Sequence, residues 1–176
     1  MISSNNLDGV YNNEGVFTMF GGNILNNTSW QGTGGGVYNF VWGNFSMFGG
    51  VISGNMGNGV YNYAWHNTGT TDEPYGNFSM FGGVISDNMG NGVYNYGNFS
   101  MFDGGVISSN LGSGVYAYGC FNMFGGLISK NMDGGVKSSV IFNMYAGEIS
   151  GNIELSSDGG GVCNRGVFEM FGGENG

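Results

Sequence analysis

One stretch of the chain decides its fold: Gly92-Val93-Tyr94-Asn95-Tyr96-Gly97-Asn98-Phe99-Ser100-Met101, continuing as Phe102-Asp103-Gly104-Gly105-Val106-Ile107-Ser108-Ser109-Asn110. It contains a Gly-Val pair, a Phe-x-Met triplet, two glycines and an Ile-x-x-Asn motif, and this order recurs seven times. The phenylalanine of Phe-x-Met falls at positions 17, 45, 78, 99, 121, 142 and 168. The basic unit is therefore 21 to 22 residues, and the longer spacings contain insertions. Such a period is typical of solenoid proteins.

Each unit contains three short apolar segments, exemplified by Val-Tyr-Asn-Tyr, Asn-Phe-Ser-Met-Phe and Val-Ile-Ser-x-Asn-Met. Each segment is long enough for one strand, and helical periodicity is absent. Leucine-rich repeats need a leucine framework, and propeller blades need about 40 residues. The sequence therefore predicts an all-β fold: a single-stranded parallel β-helix, or β-solenoid, of about seven coils spaced roughly 4.8 Å apart.

Alternation along a strand predicts which side chains face the core. Phe99 and Met101 share one face, which carries Phe and Met in every unit, so they fill the interior with Val93 and Ile107. Ser100, which lies between them, points outward. The Asn of Ile-x-x-Asn is expected to bond its own backbone and the amide of the next coil. It recurs at Asn5, Asn27, Asn55, Asn88, Asn110, Asn131 and Asn152.

Two aromatic stripes are predicted to face away from the core. One stripe directly follows the Met of Phe-x-Met and comprises Phe20, Phe48, Phe81, Phe102, Phe124, Tyr145 and Phe171. The other directly follows Gly-Val and comprises Tyr11, Tyr38, Tyr61, Tyr94 and Tyr116, with Lys137 and Cys163 at the last two positions. Stacked aromatic rings can stabilise neighbouring coils and do nothing else. Alternatively, the stripes form an association or ligand surface, because long exposed apolar patches are unusual on monomers.

Composition excludes several classes of function. The chain has 3 Lys plus Arg against 12 Asp plus Glu, a net charge of -9, so nucleic-acid binding is not expected. The sequence contains no run of about 20 apolar residues, so it does not predict that this chain inserts into a membrane. Cys120 and Cys163 occupy different repeat positions two units apart, and the geometry that a disulfide needs favours unpaired thiols. No cofactor is expected.

Departures from the repeat are candidate sites, because insertions in solenoids form loops at coil corners. The insertions lie near 28–35, 63–75 and 154–160. The largest contains the single His and the single Pro of the chain, and Trp42 lies at the same corner one coil earlier. A plain surface loop and a platform for glycan or protein both fit this corner. The candidate ligand-binding residues are Trp42, Trp65, His66, Asp72, Glu73 and Tyr75.

An enzymatic role is not expected. Polysaccharide lyases and hydrolases need a carboxylate cluster with a base on one face. Here the acids Asp87, Asp103, Asp133 and Glu148 lie at different repeat positions, and Lys137 and Arg165 have no evident partners in the sequence. One His with two neighbouring carboxylates also falls short of a defined metal site, so no catalytic or metal-ligating residue is assigned.

The order Phe-x-Met-x-Gly-Gly-x-Ile-x-x-Asn followed by Gly-Gly-Val-Tyr resembles the repeats of adhesin-like surface proteins of gut bacteria and methanogenic archaea. Those proteins belong to the pectate-lyase-like right-handed β-helix superfamily. The resemblance covers essentially the whole chain. It implies a right-handed, extracellular or cell-surface rod within a longer polypeptide, with signal and anchor outside this chain, and it brings no catalytic site.

We therefore expect residues 1–176 to form one β-helix domain, either a segment of a longer array or a subunit that stacks into a fibre. Reading the C-terminus into a second N-terminus restores the repeat almost in phase, which favours end-to-end association. The expected function is structural and adhesive, with self-association and with cell-surface glycans or proteins as partners. The alternative is a carbohydrate-binding or polysaccharide-processing β-helix with its site at the 63–75 loop.

Overall fold

The computed structural model describes residues 1–29, 34–64, 76–155 and 158–172. Within these ranges all regular structure is β, and nineteen strands follow in chain order. They are β1 Ile2–Ser3, β2 Val10–Asn13, β3 Val16–Met19, β4 Asn23–Leu25, β5 Gly35–Phe40, β6 Asn44–Met47, β7 Val51–Ser53, β8 Asn58–Asn62, β9 Asn77–Ser86, β10 Val93–Asn95, β11 Asn98–Ser108, β12 Val115–Ala117, β13 Cys120–Met123, β14 Leu127–Ser129, β15 Val136–Ser138, β16 Ile141–Met144, β17 Glu148–Ser150, β18 Val162–Asn164 and β19 Val167–Met170.

All strand pairs are parallel, and each strand pairs with its equivalents in the coils before and after it. The Gly-Val strands form a seven-stranded sheet in the order β18-β15-β12-β10-β8-β5-β2. The Phe-x-Met and Ile-x-x-Asn strands form a twelve-stranded sheet, in which the long strands β9 and β11 contribute to both columns. The register places Phe on Phe and Met on Met, as in Phe99↔Phe121 and Met101↔Met123. The predicted β-solenoid of about seven coils is confirmed.

The core is a set of stacked columns, each built from one residue type. Phe99, Met101, Val93 and Ile107 are fully buried in the middle coils, and their equivalents in neighbouring coils are buried with them. Successive phenylalanine rings stack face to face with centroids 4.7–4.9 Å apart. The interior is thus filled by identical contacts repeated at the coil spacing, and the predicted inward positions are correct.

In six of the seven Gly-Val pairs the glycine is required by packing against the next coil; at Gly161, in the last coil, a Cβ would meet no atom within 4 Å. A Cβ at Gly114 would lie 2.5 Å from the Ile128 side chain, 2.7 Å from the carbonyl oxygen of Gly135 and 2.8 Å from the side-chain Nδ2 of Asn131. Gly59 has the same surroundings, contributed by Ile85, Gly92 and Asn88. The Gly-Val and Ile-x-x-Asn motifs therefore recur together because the isoleucine and asparagine fill the space that glycine leaves.

A buried asparagine ladder holds the corner after the Ile-x-x-Asn strand. Each side-chain Nδ2 donates to the Oδ1 of the equivalent asparagine in the next coil over 2.8–3.0 Å. The same Oδ1 also accepts the backbone N–H of the preceding asparagine over 2.9–3.1 Å. The expected ladder is confirmed, from Asn5 to Asn152.

The residue before each ladder asparagine adopts a left-handed backbone conformation, which the sequence analysis did not predict. Its φ lies between 54° and 65° in every coil, at Ser4, Asn26, Gly54, Asp87, Ser109, Lys130 and Gly151. This conformation costs a non-glycine residue roughly 1–2 kcal/mol. The turn aims the following asparagine inward, and the ladder hydrogen bonds offset the backbone strain.

We expect Gly114→Ala to destabilise the protein by about 1–3 kcal/mol, since the new methyl group must displace Ile128 or the backbone of the next coil. The matched control is Gly21→Ala, where a Cβ meets no atom within 4 Å. Urea unfolding followed by circular dichroism measures both. Equal losses in the two variants would contradict the packing explanation.

Replacing Asn110 with alanine interrupts the ladder in its middle. The backbone N–H of Asn88 and one hydrogen of its Nδ2 lose their buried acceptor, and the Oδ1 of Asn131 keeps only the backbone N–H of residue 110. The expected loss in free energy of unfolding is about 2–4 kcal/mol. Asn122→Ala is the control, because Asn122 lies on the outer surface and accepts one hydrogen bond, from Asn143. A small effect at Asn110 would show that the ladder is dispensable.

Candidate functional site

The first predicted stripe forms a continuous column of stacked rings on the outside of the solenoid. We call it the outer phenylalanine column; its members are Phe20, Phe48, Phe81, Phe102, Phe124, Tyr145 and Phe171. Adjacent ring centroids are 4.7–5.3 Å apart with interplanar angles of 6–16°. Phe102 is half-buried and the other rings are exposed, at 48% for Phe48 and 41% for Phe124. An apolar column thus faces solvent along the described coils.

The stacking limits what this column can recognise. Each ring face is covered by the ring of the neighbouring coil, so the rings present their edges to solvent. A sugar that binds to an aromatic residue packs against the open face of a ring. The column therefore suits apolar contacts along its length better than glycan recognition ring by ring.

The second predicted stripe is one half of a double column. Beside Tyr11, Tyr38, Tyr61, Tyr94 and Tyr116 lies a parallel row two residues further along each strand or turn, formed by Phe40, Tyr63, Tyr96 and Tyr118. Within a row, Tyr38 stacks on Tyr61 at 5.0 Å and Tyr96 on Tyr118 at 5.0 Å. Between rows the rings meet edge to face, as for Tyr94 and Tyr96 at 5.2 Å. We call this set the tyrosine double column.

Several tyrosines of the double column are partly shielded from water, and two pairs of their hydroxyls are hydrogen-bonded. The hydroxyls of Tyr94 and Tyr96 lie 3.1 Å apart, and those of Tyr116 and Tyr118 lie 3.0 Å apart. Burial raises the pKa of Tyr38 to about 12, and it also raises the pKa of Tyr61 and Tyr94. The hydrogen bond with Tyr118 raises the pKa of Tyr116. The phenols of Tyr38, Tyr61, Tyr94 and Tyr116 therefore lose their protons at a higher pH than a free tyrosine.

Sequence reasoning missed a second buried ladder beneath these tyrosines. Through Nδ2, Asn12 donates to the Oδ1 of Asn39, Asn39 to that of Asn62, and Asn62 to that of Asn95, each over 2.7 Å. The signal was present in the repeated Val-Tyr-Asn, because alternation along the strand puts this asparagine on the same inward face as the valine. In the following coil Ala117 takes the position, and the ladder ends.

The predicted ligand-binding corner is described in part. Trp42 is 44% exposed and sits in a turn closed by the N–H of Gly43, which donates to the carbonyl oxygen of Phe40 over 3.0 Å. Val41 in this turn has a φ of 55°, which is rare for a β-branched residue. The other predicted residues of the corner, Trp65, His66, Asp72, Glu73 and Tyr75, lie outside the described residues.

The basic residues near the C-terminal coils have partners, contrary to the sequence analysis. The Lys137 ammonium lies 2.8 Å from Asp133 and 3.0 Å from Glu154, and Arg165 lies 3.7 Å from Asp158. Burial alone would lower the pKa of Lys137, but the hydrogen bonds of the two carboxylates raise it. These pairs were missed because the insertion near 154–160 supplies two of the acids. Lys137, Arg165 and Cys163 line a cleft of about 190 Å³.

In the ranges that the structure describes, no group of three or more His, Cys, Asp or Glu side chains is arranged to hold a metal ion. The same ranges contain no helix of the length and hydropathy that crossing a membrane requires. Cys120 and Cys163 are free thiols, as expected. The chain matches no protein-family model, no curated protein and no solved structure. Its function must therefore be argued from the geometry.

We expect alkaline pH to destabilise the protein through the tyrosine double column. Folding raises the pKa of Tyr38 from 10.0 to about 12. The protonated phenol therefore makes its full contribution to the free energy of unfolding below pH 10, and this contribution is lost as the pH rises through about 12. Denaturant unfolding at a series of pH values above 9 measures the slope, which is how steeply the free energy of unfolding falls with pH. Tyr38→Phe keeps the stacked ring and removes the titrating group, so its slope should be shallower. An unchanged slope would contradict the assignment.

Proposed function

We propose that this chain is a structural, adhesive segment of an extracellular or cell-surface rod, and that it associates with further copies end to end. The observation that carries the proposal is that the first and last coils present the same three strands, in the same order, to a neighbouring molecule. Repetition of one coil with parallel pairing supports a stiff body whose length grows with the number of coils. Seven coils at about 4.8 Å give a segment of roughly 35 Å.

The first and last coils present like residues to a neighbouring molecule. Every strand column begins in the first coil and ends in the last: β1 to β17, β2 to β18 and β3 to β19. A second copy placed in the same register sets Phe17 on Phe168, Phe20 on Phe171 and Asn5 on Asn152. The core columns and the asparagine ladder would then continue without interruption.

Both end coils expose apolar side chains that the middle coils bury or half-bury. Met170 is 60% exposed, whereas its equivalent Met101 is fully buried. Phe20 is 78% exposed, compared with 40% for Phe81 in the same column. Stacking of two copies removes these surfaces from water and pairs the free strand edges, so it is favoured by both the hydrophobic effect and backbone hydrogen bonding.

A charge at the end coil should block this association. Met170→Asp places a carboxylate where the stacked copy would bury it, which costs several kcal/mol, whereas in the monomer the site is exposed. Leu111→Asp is the matched control, since Leu111 is 55% exposed in the middle of the rod. Sedimentation velocity over a concentration series should show oligomers for the parent chain and the control, and monomers for Met170→Asp.

Two results would overturn the proposal. The parent chain could stay monomeric at high micromolar concentration, with no filaments in electron micrographs. Alternatively, Met170→Asp could associate as strongly as the control, in which case the contact lies on the side of the rod and not at its ends.

A further inference from the structure

The glycine corner after each Phe-x-Met strand lies between two columns of outward side chains, one of which is the outer phenylalanine column. One wall is that column, and the other is the outward residue that precedes the buried isoleucine, which is Val51, Val84, Val106 or Leu127 in four consecutive coils. These four side chains are half-buried. We call this feature the corner groove. Towards the last coils it opens into a cavity of about 740 Å³ lined by Leu127, Tyr145 and Glu148, among others. That volume lies in the range of small-molecule sites.

The floor of the corner groove is glycine backbone, because a side chain at these positions would clash with the neighbouring coil. A Cβ at Gly83 would lie 2.6 Å from the Met47 side chain, and its φ of 95° disfavours other residues. A Cβ at Gly82 would lie 2.8 Å from the carbonyl oxygen of Phe48. No side chain rises from these two glycines, and both walls repeat at the coil spacing. A flat, elongated molecule lying parallel to the axis can therefore contact the floor and both walls.

Two departures from the repeat bring carboxylates into this groove. Asp103 is an extra residue between Phe102 and the two glycines, and the register of β9 and β11 shifts there. Bulges of this kind commonly redirect a side chain. The Asp103 carboxylate occupies the space directly over Gly125 of the floor. Glu148 stands where the preceding four coils have Val or Leu.

Both carboxylates line the 740 Å³ cavity and are exposed to solvent. They lie two coils apart, which is about 10 Å along the axis. In the described ranges neither carboxylate takes part in an ion pair, whereas Lys137 and Arg165 are paired with other acids. The groove thus combines apolar walls with unneutralised negative charge, in a chain of net charge -9.

We propose that the corner groove, from Phe102 to Tyr145, is a binding site for elongated, planar, cationic aromatic molecules. The aromatic body lies along the axis against Gly126 and Gly147 of the floor. It contacts Tyr145, which stacks on Phe124, on one wall and Leu127 on the other. Asp103 and Glu148 attract the positive charge and fix the position of the ligand along the groove. Gly172 of the last coil also lines the cavity, so binding is tested on the monomer.

Thioflavin T, a flat aromatic cation, is a suitable probe. Its fluorescence is titrated with dilute protein that sedimentation velocity shows to be monomeric, so that binding by filaments is excluded. We expect a saturable increase in fluorescence that weakens as salt is added, because the carboxylates are exposed. The double variant Asp103→Asn with Glu148→Gln keeps the shape of the groove and should weaken binding roughly fivefold or more.

Two ring deletions in the outer phenylalanine column test whether the dye binds at the cavity or along the whole column. Phe124→Ser removes a ring beside the cavity and should abolish saturable binding. Phe48→Ser removes an equivalent ring, similarly exposed, from coils whose groove lacks a carboxylate, and should change the affinity less than twofold. Circular dichroism verifies that both variants keep the β-sheet signal.

Three outcomes would overturn the proposal: no saturable fluorescence with the monomer, equal losses for Phe124→Ser and Phe48→Ser, or unchanged affinity in the double carboxylate variant. The last outcome would mean that the dye binds by apolar contact alone, and equal losses would mean that it binds along the whole column. None of these results depends on whether the chain associates end to end.

Discussion

The whole structure depends on one constraint, the parallel pairing of each strand with its own equivalent one coil away. Because the spacing is about 4.8 Å, identical side chains lie within van der Waals contact of each other, and each position must tolerate a copy of itself. Phenylalanine meets this requirement by stacking, and asparagine by donating an amide hydrogen while accepting another. Glycine meets it by leaving space for Ile128 and Asn131. The repeated motif is the set of residues that satisfy this condition.

Most of the fold was predictable, because that constraint makes the same residue types recur at equivalent positions of the sequence. The spacing of Phe-x-Met gave the coil length, and alternation placed Phe99 and Met101 inside and Ser100 outside. The left-handed residue before each ladder asparagine was not predictable, because positions 87, 109 and 130 carry Asp, Ser and Lys with no shared side-chain chemistry. There the backbone turn is imposed by the buried asparagine that follows.

The candidate sites were harder to predict, since they depend on where the repeat fails. Lys137 interrupts the tyrosine double column and finds its partners in Asp133 and in Glu154, which belongs to the insertion near 154–160 and not to the repeated motif. Asp103 looked like one acid among several scattered ones. Its importance came from a register shift that places its carboxylate over Gly125, and a single inserted residue does not reveal that direction in the sequence.

The two buried asparagine ladders have a further consequence, because both run in the same sense. In each, the amide nitrogen donates towards the later coil, from Asn5 to Asn152 and from Asn12 to Asn95. The aligned amide dipoles give the solenoid a chemical direction, with carbonyl acceptors facing one way and NH₂ donors facing the other. Two rods that continue these ladders must therefore point the same way, and a filament built from them would be polar, with two different growing ends.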